Sequence, residues 1–159
     1  MSDAMAKFDK FERAIMAALQ RDARHSVQKL AELIGLSASP TWRRLKSLEE
    51  RGVIKEYVAR LDPVKLGYSQ TVFAHVTLAK HSVEAIDAFE RSVAAQPEVL
   101  ELYSMTGTTD YIMRIAIRST EEYSMFLRRV VYGSSYVQHI QSNFAVREIK
   151  NVTALPIPQ

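Results

Sequence analysis

"SASPTWRRLKSLEERGVI", residues 37–54, is the stretch from which the fold can be read. Ser37 or Ser39 caps a helix here, and Pro40 suits its first turn, where a missing N–H does no harm. Trp42, Leu45 and Leu48 recur at helical spacing and predict a buried stripe, with Trp42 in the core. "ERG" closes the helix, and Gly52 supplies the left-handed residue that follows it. Arg43, Arg44 and Lys46 crowd onto this helix beside Ser39 and Thr41. The helix is either solvated and laced by pairs such as Lys46–Glu50, or it lies against something anionic.

Upstream, Phe11, Ile15, Ala18 and Leu19 keep helical spacing after Asp9, a capping residue. The polar stretch "RDARHS" breaks that helix. It forms a surface loop or brings Arg24 to a phosphate. Ser26 then caps a short helix with Val27, Leu30, Ala31 and Ile34 on one face, and Gly35 ends it. Three short helices with a tight turn before the last make the helix-turn-helix pattern. "VIKEYVARLDP" reads as extended chain, a wing or a linker, stopped by Pro63 and Gly67.

After Tyr68 the pattern changes. "TVFAHVTLA" alternates, with Val72, Ala74, Val76 and Leu78 on one face. "SVEAIDAFERSVAA" is amphipathic along Val83, Ile86, Phe89 and Val93. "EVLELYSM" and "YIMRIAI" are β-rich and flank the turn composition "TGTTD". "STEEYSMFLRRVVYG" opens with a capping box, Ser119 or Thr120 with Glu121 or Glu122, and shows Tyr123, Phe126, Leu127 and Val130 on one face. "VQHIQSNFAVREIK" alternates again through Ile140, Phe144 and Val146. The order β-α-β-β-α-β is the ferredoxin-like split unit. Its helices cover one sheet face. Phe73, Tyr103, Met105 and Ile112 lie on the other, for which a second copy of the sheet is the natural cover.

The bulk numbers agree. The 159 residues carry 47% hydrophobic and 25% charged side chains, as a globular chain does. There is no cysteine, which excludes disulfides and cysteine-based zinc sites. Asp3, Lys7, Asp9 and Lys10 exclude an apolar signal-peptide core, and no apolar run is long enough for a membrane span. A cytoplasmic protein without membrane contact is expected. Residues 1–62 hold 12 Lys/Arg against 9 Asp/Glu, and residues 63–159 hold 9 against 9. The excess positive charge therefore sits in the helical head. His25, His75, His81 and His139 show no metal-ligand spacing, and no nucleophile elbow or phosphate-binding glycine pattern occurs. No catalytic residue, metal or cofactor is expected, and the chain is not read as an enzyme.

At this point the chain, from Phe8 to about Val152, resembles the leucine-responsive and asparagine-responsive (Lrp/AsnC) transcription regulators. "LAELIGLSASPTWRRLKSLEERGVI" is similar to the family's helix-turn-helix, "ARLDPVKLGY" to its hinge and "MTGTTDYIMRI" to its effector loop. The resemblance implies an α+β chain: an N-terminal winged helix-turn-helix and a C-terminal ferredoxin-like βαββαβ domain. The boundaries expected are 1–54 for DNA binding, 55–67 for an extended hinge, and 68–159 for effector binding and oligomerisation. It also implies a homodimer that assembles further, commonly to an octamer, with an amino acid bound between dimers. Two positions depart from members that bind amino acids. Thr108 stands where an acid often follows the loop glycine, and Ile140 replaces one of two pocket hydroxyls, of which Ser142 keeps the other.

Two sites follow. A recognition helix reads double-stranded DNA mostly from its N-terminal half, which puts Ser39, Thr41, Arg43 and Arg44 nearest the bases. Lys46 and Arg51 suit phosphates, as do Ser37 and Ser39 with the free N–H groups of the helix start. In the loop, Met105, Gly107, Thr108, Thr109 and Asp110, with Ser142, form the candidate effector site. Backbone N–H groups around Gly107 can receive a carboxylate and Asp110 an ammonium, although a plain hairpin turn explains Gly and Asp equally well. The expected function is sequence-specific transcriptional regulation by a DNA-binding protein with an amino-acid-like effector. The rival is a small-molecule-sensing module whose basic head contacts a protein.

Overall fold

The computed structural model describes residues 7–158; residues 1–6 and 159 lie outside the described residues. The described residues divide into two compact units, 7–60 with 150–158, and 61–149. Residues 150–158 thus group with the head. Gln20 explains why: its Nε2 donates to the Leu155 carbonyl at 3.0 Å, and its Oε1 accepts from the Leu155 N–H at 2.6 Å.

The head holds three helices, α1 (Lys10–Arg21), α2 (Val27–Ile34) and α3 (Ala38–Glu50). Asp9 caps α1 in a complete capping box. Its side chain accepts from the Phe11 and Glu12 N–H groups, and the Glu12 carboxylate accepts from the Asp9 N–H. The Ser26 hydroxyl accepts from Lys29 N–H at the start of α2, and Gly35 ends that helix at φ 70°. This left-handed turn reverses the chain within a few residues, so α3 can start at once. Ile15, Leu30 and Leu48, one from each helix, are fully buried and form the head's core with Ala18 and Ala31. Residues 55–62 form neither helix nor strand.

The stripe of α3 departs from expectation. Thr41 is 0% exposed and Trp42 is 54% exposed. Helical spacing allows either residue beside Leu45 and Leu48. Thr41 takes the inner place because its hydroxyl donates to the Ser37 carbonyl at 2.9 Å, which satisfies its one polar group inside the core.

The body is a four-stranded antiparallel sheet in the order β2-β3-β1-β4, with β1 Gln70–Leu78, β2 Val99–Ser104, β3 Tyr111–Ile117 and β4 Val137–Phe144. This is the expected split unit. Helices α4 (Val83–Ala94) and α5 (Thr120–Phe126) supply Phe89, Val93, Tyr123 and Phe126 to a core with Val72, Val76, Met113 and Ile115. Ser119 caps α5 by accepting from the Glu122 N–H, but the capping box expected there is half formed, since the Glu122 carboxylate accepts from the Arg118 N–H instead of the Ser119 N–H. The helix then widens to a π-type stretch, Leu127–Tyr132, in place of the regular continuation expected. Val130 and Val131 of this stretch are both buried. On α4, Val83 is exposed and Ala85 is buried instead; β4 ends at Phe144, and Val146 is exposed. The other sheet face carries Phe73, Tyr103 and Ile112 around an Arg114–Glu101 ion pair of 2.6 Å. Phe73 and Tyr103 are exposed in the single chain.

The corrected stripe has a direct test. Leu48→Ala should lower the head's stability by about 2–5 kcal/mol, the usual cost of a cavity in a core. Trp42→Ala on the same helix should stay within about 0.5 kcal/mol, as surface changes do. Urea unfolding followed by helical circular dichroism compares the two, and equal losses would return Trp42 to the core.

Candidate nucleic-acid interface and effector loop

Two long-range ion pairs fasten α3 to the start of α1. The Arg51 Nη1 donates to the Glu12 Oε1 at 2.7 Å, and the Arg44 Nε lies 3.2 Å from the Asp9 Oδ2. Each guanidinium also covers a ring, Arg51 that of Phe8 at 5.0 Å and Arg44 that of Phe11 at 5.3 Å. Burial pushes the Asp9 carboxyl upward, but the Glu12 N–H, Arg44 and the Phe11 N–H outweigh it and hold it below the usual value. Both arginines are thus tied to partners of the head 35 and 39 residues away in sequence, although Arg51 stays exposed and Arg44 half-buried. Arg24, the loop arginine, is likewise bound by Asp22, whose carboxyl its hydrogen bonds draw down to about 2.

The outer face of α3 is left to other residues. Ser39, Trp42, Arg43 and Lys46 are all exposed and fall on one side of the helix. Lys46 makes only a loose contact of 3.8 Å with Glu49, on its own helix. Ser37 and Ser39 are exposed at the helix start, and the Ser37 side chain makes no capping bond there, so the first N–H groups of α3 lack that partner. Of the residues expected at DNA, the geometry therefore presents Ser37, Ser39, Arg43 and Lys46. It withdraws Thr41, whose side chain is buried, and it uses Arg44 and Arg51 as braces. Trp42 is the residue that sequence reasoning sent to the wrong side.

The loop after β2 is held differently from expectation. Gly107 sits at φ 126°, a conformation that side chains rarely adopt, and Met105, Thr106 and Thr108 are exposed around it. Asp110 is a clasp: its Oδ2 accepts from the Leu78 N–H at 2.7 Å and its Oδ1 meets the His81 Nε2 at 3.0 Å. Its own N–H donates to the Val76 carbonyl. The Leu78 N–H and then His81 hold its carboxyl below the ordinary aspartate range. Its charge is thus already engaged within the chain. His81 escaped sequence reasoning, because nothing local marks it as a partner of Asp110. Ser142 is paired opposite Ala74 on the helix-covered face, and its hydroxyl lies 2.6 Å from the Tyr123 hydroxyl. A single chain therefore does not bring Ser142 to the loop. A cavity of about 350 Å³ between the π-type stretch and β4, lined by Val131, Tyr132 and His139 among others, does not include the loop either.

A winged helix-turn-helix DNA-binding profile matches residues 8–55, and the Lrp/AsnC ligand binding domain matches residues 71–155. The chain belongs to the Lrp/AsnC family. The DNA-binding transcriptional activator DecR of Escherichia coli K12 is 39% identical over 94% of this chain and 98% of its own length. The glutamate uptake regulatory protein of Zymomonas mobilis is 37% identical over 96% of this chain and 93% of its own. Among solved structures, the Neisseria meningitidis transcriptional regulator NMB0573 in complex with L-Met superposes with a TM-score of 0.90 at 35% identity, over 94% of this chain and 96% of that one. This Lrp/AsnC chain is a DNA-binding transcriptional regulator with a ligand-binding body. No helix among the described residues is long and apolar enough to cross a membrane.

The clasp predicts an acid response. A carboxyl whose value is lowered by folding contributes its full stability above the ordinary aspartate range, and loses it as pH falls through the lowered value. Asp110→Asn should cost the body about 0.5–1.5 kcal/mol at neutral pH and flatten the loss of stability toward acid. Urea titrations at neutral and acid pH measure both, and parallel curves for the two proteins would remove Asp110 from the clasp.

Proposed function

We propose that the chain acts as a dimer that sets its two α3 helices into successive major grooves of DNA, about one helical turn apart. The observation that carries this reading is the outer face of α3, where Ser39, Arg43 and Lys46 stand exposed while Arg44 and Arg51 brace the helix from behind. Arg43 is the base reader, since a guanidinium can pair with both guanine O6 and N7. Lys46 suits a phosphate, and the exposed Ser37 and Ser39 with the N–H groups of the helix start suit another. The protein works in the cytoplasm, beside the DNA it regulates.

The exposed sheet face of Phe73, Tyr103 and Ile112 supports dimerisation, because an apolar patch of that kind gains by being covered. Dimers then assemble further, to an octamer, and the loops Met105–Tyr111 of several chains meet around an amino acid or a close relative of one. NMB0573 was solved with L-Met, which supports an α-amino carboxylate as the ligand class. The Gly107 turn offers N–H groups to its carboxylate, and with Asp110 engaged by Leu78 and His81 the ammonium finds its partner on a neighbouring chain. Binding shifts the assembly only by its differential affinity for the two states.

Selection of duplexes from a random pool by the full chain, followed by salt-dependent titration, tests the DNA reading. Arg43→Ala should cost about 1–3 kcal/mol on the selected site and relax one position. Lys46→Ala should weaken all sequences alike and reduce the salt slope by about one. Arg51→Ala should act first on the head's stability, because it strands the buried Glu12 carboxylate. No selected site and no binding at low salt would favour a head that contacts a protein.

A further inference from the structure

We infer that Trp42 is a specificity-determining residue that packs its indole on the 5-methyl group of a thymine in the major groove, one step from the base that Arg43 reads. This inference rests on the DNA reading above. Trp42 is the largest side chain on the outer face of α3, and more than half of it is exposed. It lies one helical turn after Ser39 and one before Lys46, so it stands on the same side as the polar residues offered to DNA. Among the described residues no ring stacks on the indole and no cation covers it. The head's core is complete without it, because Thr41 fills the inner position.

The chemistry of the groove narrows what the indole meets. Three base edges offer only polar atoms in the major groove, and thymine alone adds a methyl group. A flat ring held between a hydroxyl and two cations lays its carbon face on that methyl, while its one N–H turns to a base acceptor or to water. Burial of one methyl is worth about a fourfold difference in affinity, enough to prefer thymine over cytosine or uracil at one position per half-site.

The test uses the full chain and the duplex selected by it. Trp42 is the protein's one tryptophan, so its emission reports this position alone. Emission should change on titration with that duplex at moderate salt. Each thymine is then replaced singly by deoxyuridine, which removes only the methyl group, and affinity is read from the anisotropy of labelled DNA. One thymine per half-site should show a loss of about fourfold. Trp42→Ala should abolish that difference, and Trp42→Phe should keep it, with both variants as folded as the wild type by circular dichroism. Unchanged emission, with no thymine distinguished from uracil while Arg43→Ala still relaxes its own position, overturns the inference and leaves the DNA reading standing. Absence of any selected duplex overturns both.

Discussion

Glu12 is a carboxylate taken largely out of water, and such a group must be met on every side. One oxygen accepts from the Asp9 N–H, and the other binds Arg51 beyond the far end of α3. Through this residue the capping box of α1 and the end of the recognition helix share one hydrogen-bonded junction. Asp9 repeats the arrangement toward Arg44. The two pairs set the rotation of α3 about its own axis, and with it the choice of side chains on the outer face. The apolar core of Ile15, Leu30 and Leu48 would tolerate a small roll of the helix. The charged junction does not, since a roll would leave carboxylate oxygens without donors.

A consequence is a division of labour among cations that look alike. Counted by charge, α3 and its end carry Arg43, Arg44, Lys46 and Arg51. Counted by long-range ion pairs, Arg44 and Arg51 each bind a carboxylate at the start of α1, whereas Lys46 meets only Glu49 on its own helix. The body follows a similar rule. Asp110 lies in a loop that resembles a ligand site, yet its carboxylate completes the end of β1 at the Leu78 N–H. In both units a charge conspicuous in the sequence is engaged by a backbone or side-chain group remote along the chain.

This sets the limit of what could be read beforehand. Local signals were legible: the Asp9 and Ser26 caps, the Gly35 turn, the alternation of β1 and the run of elements β-α-β-β-α-β. Each depends on neighbours within a few residues. Trp42 and Thr41 were exchanged because hydrophobicity favours the indole inside. What decides the matter is a hydroxyl-to-carbonyl bond to Ser37 that makes threonine acceptable there. The braces at Arg44 and Arg51, the clasp at Asp110, and Ser142 turned toward Tyr123 all depend on contacts between residues far apart in sequence. Periodicity carries no trace of them. The π-type stretch at Leu127 was hidden for another reason: the apolar spacing of Tyr123, Phe126, Leu127 and Val130 suits a regular helix equally well.

The return of residues 150–158 to the head makes residues 61–149 an insertion within it. During synthesis on a ribosome, α1 to α3 emerge first, but the segment that pairs with Gln20 emerges after the whole sheet. The head is therefore begun early and finished last, and the body has its full sequence before its elder neighbour is closed.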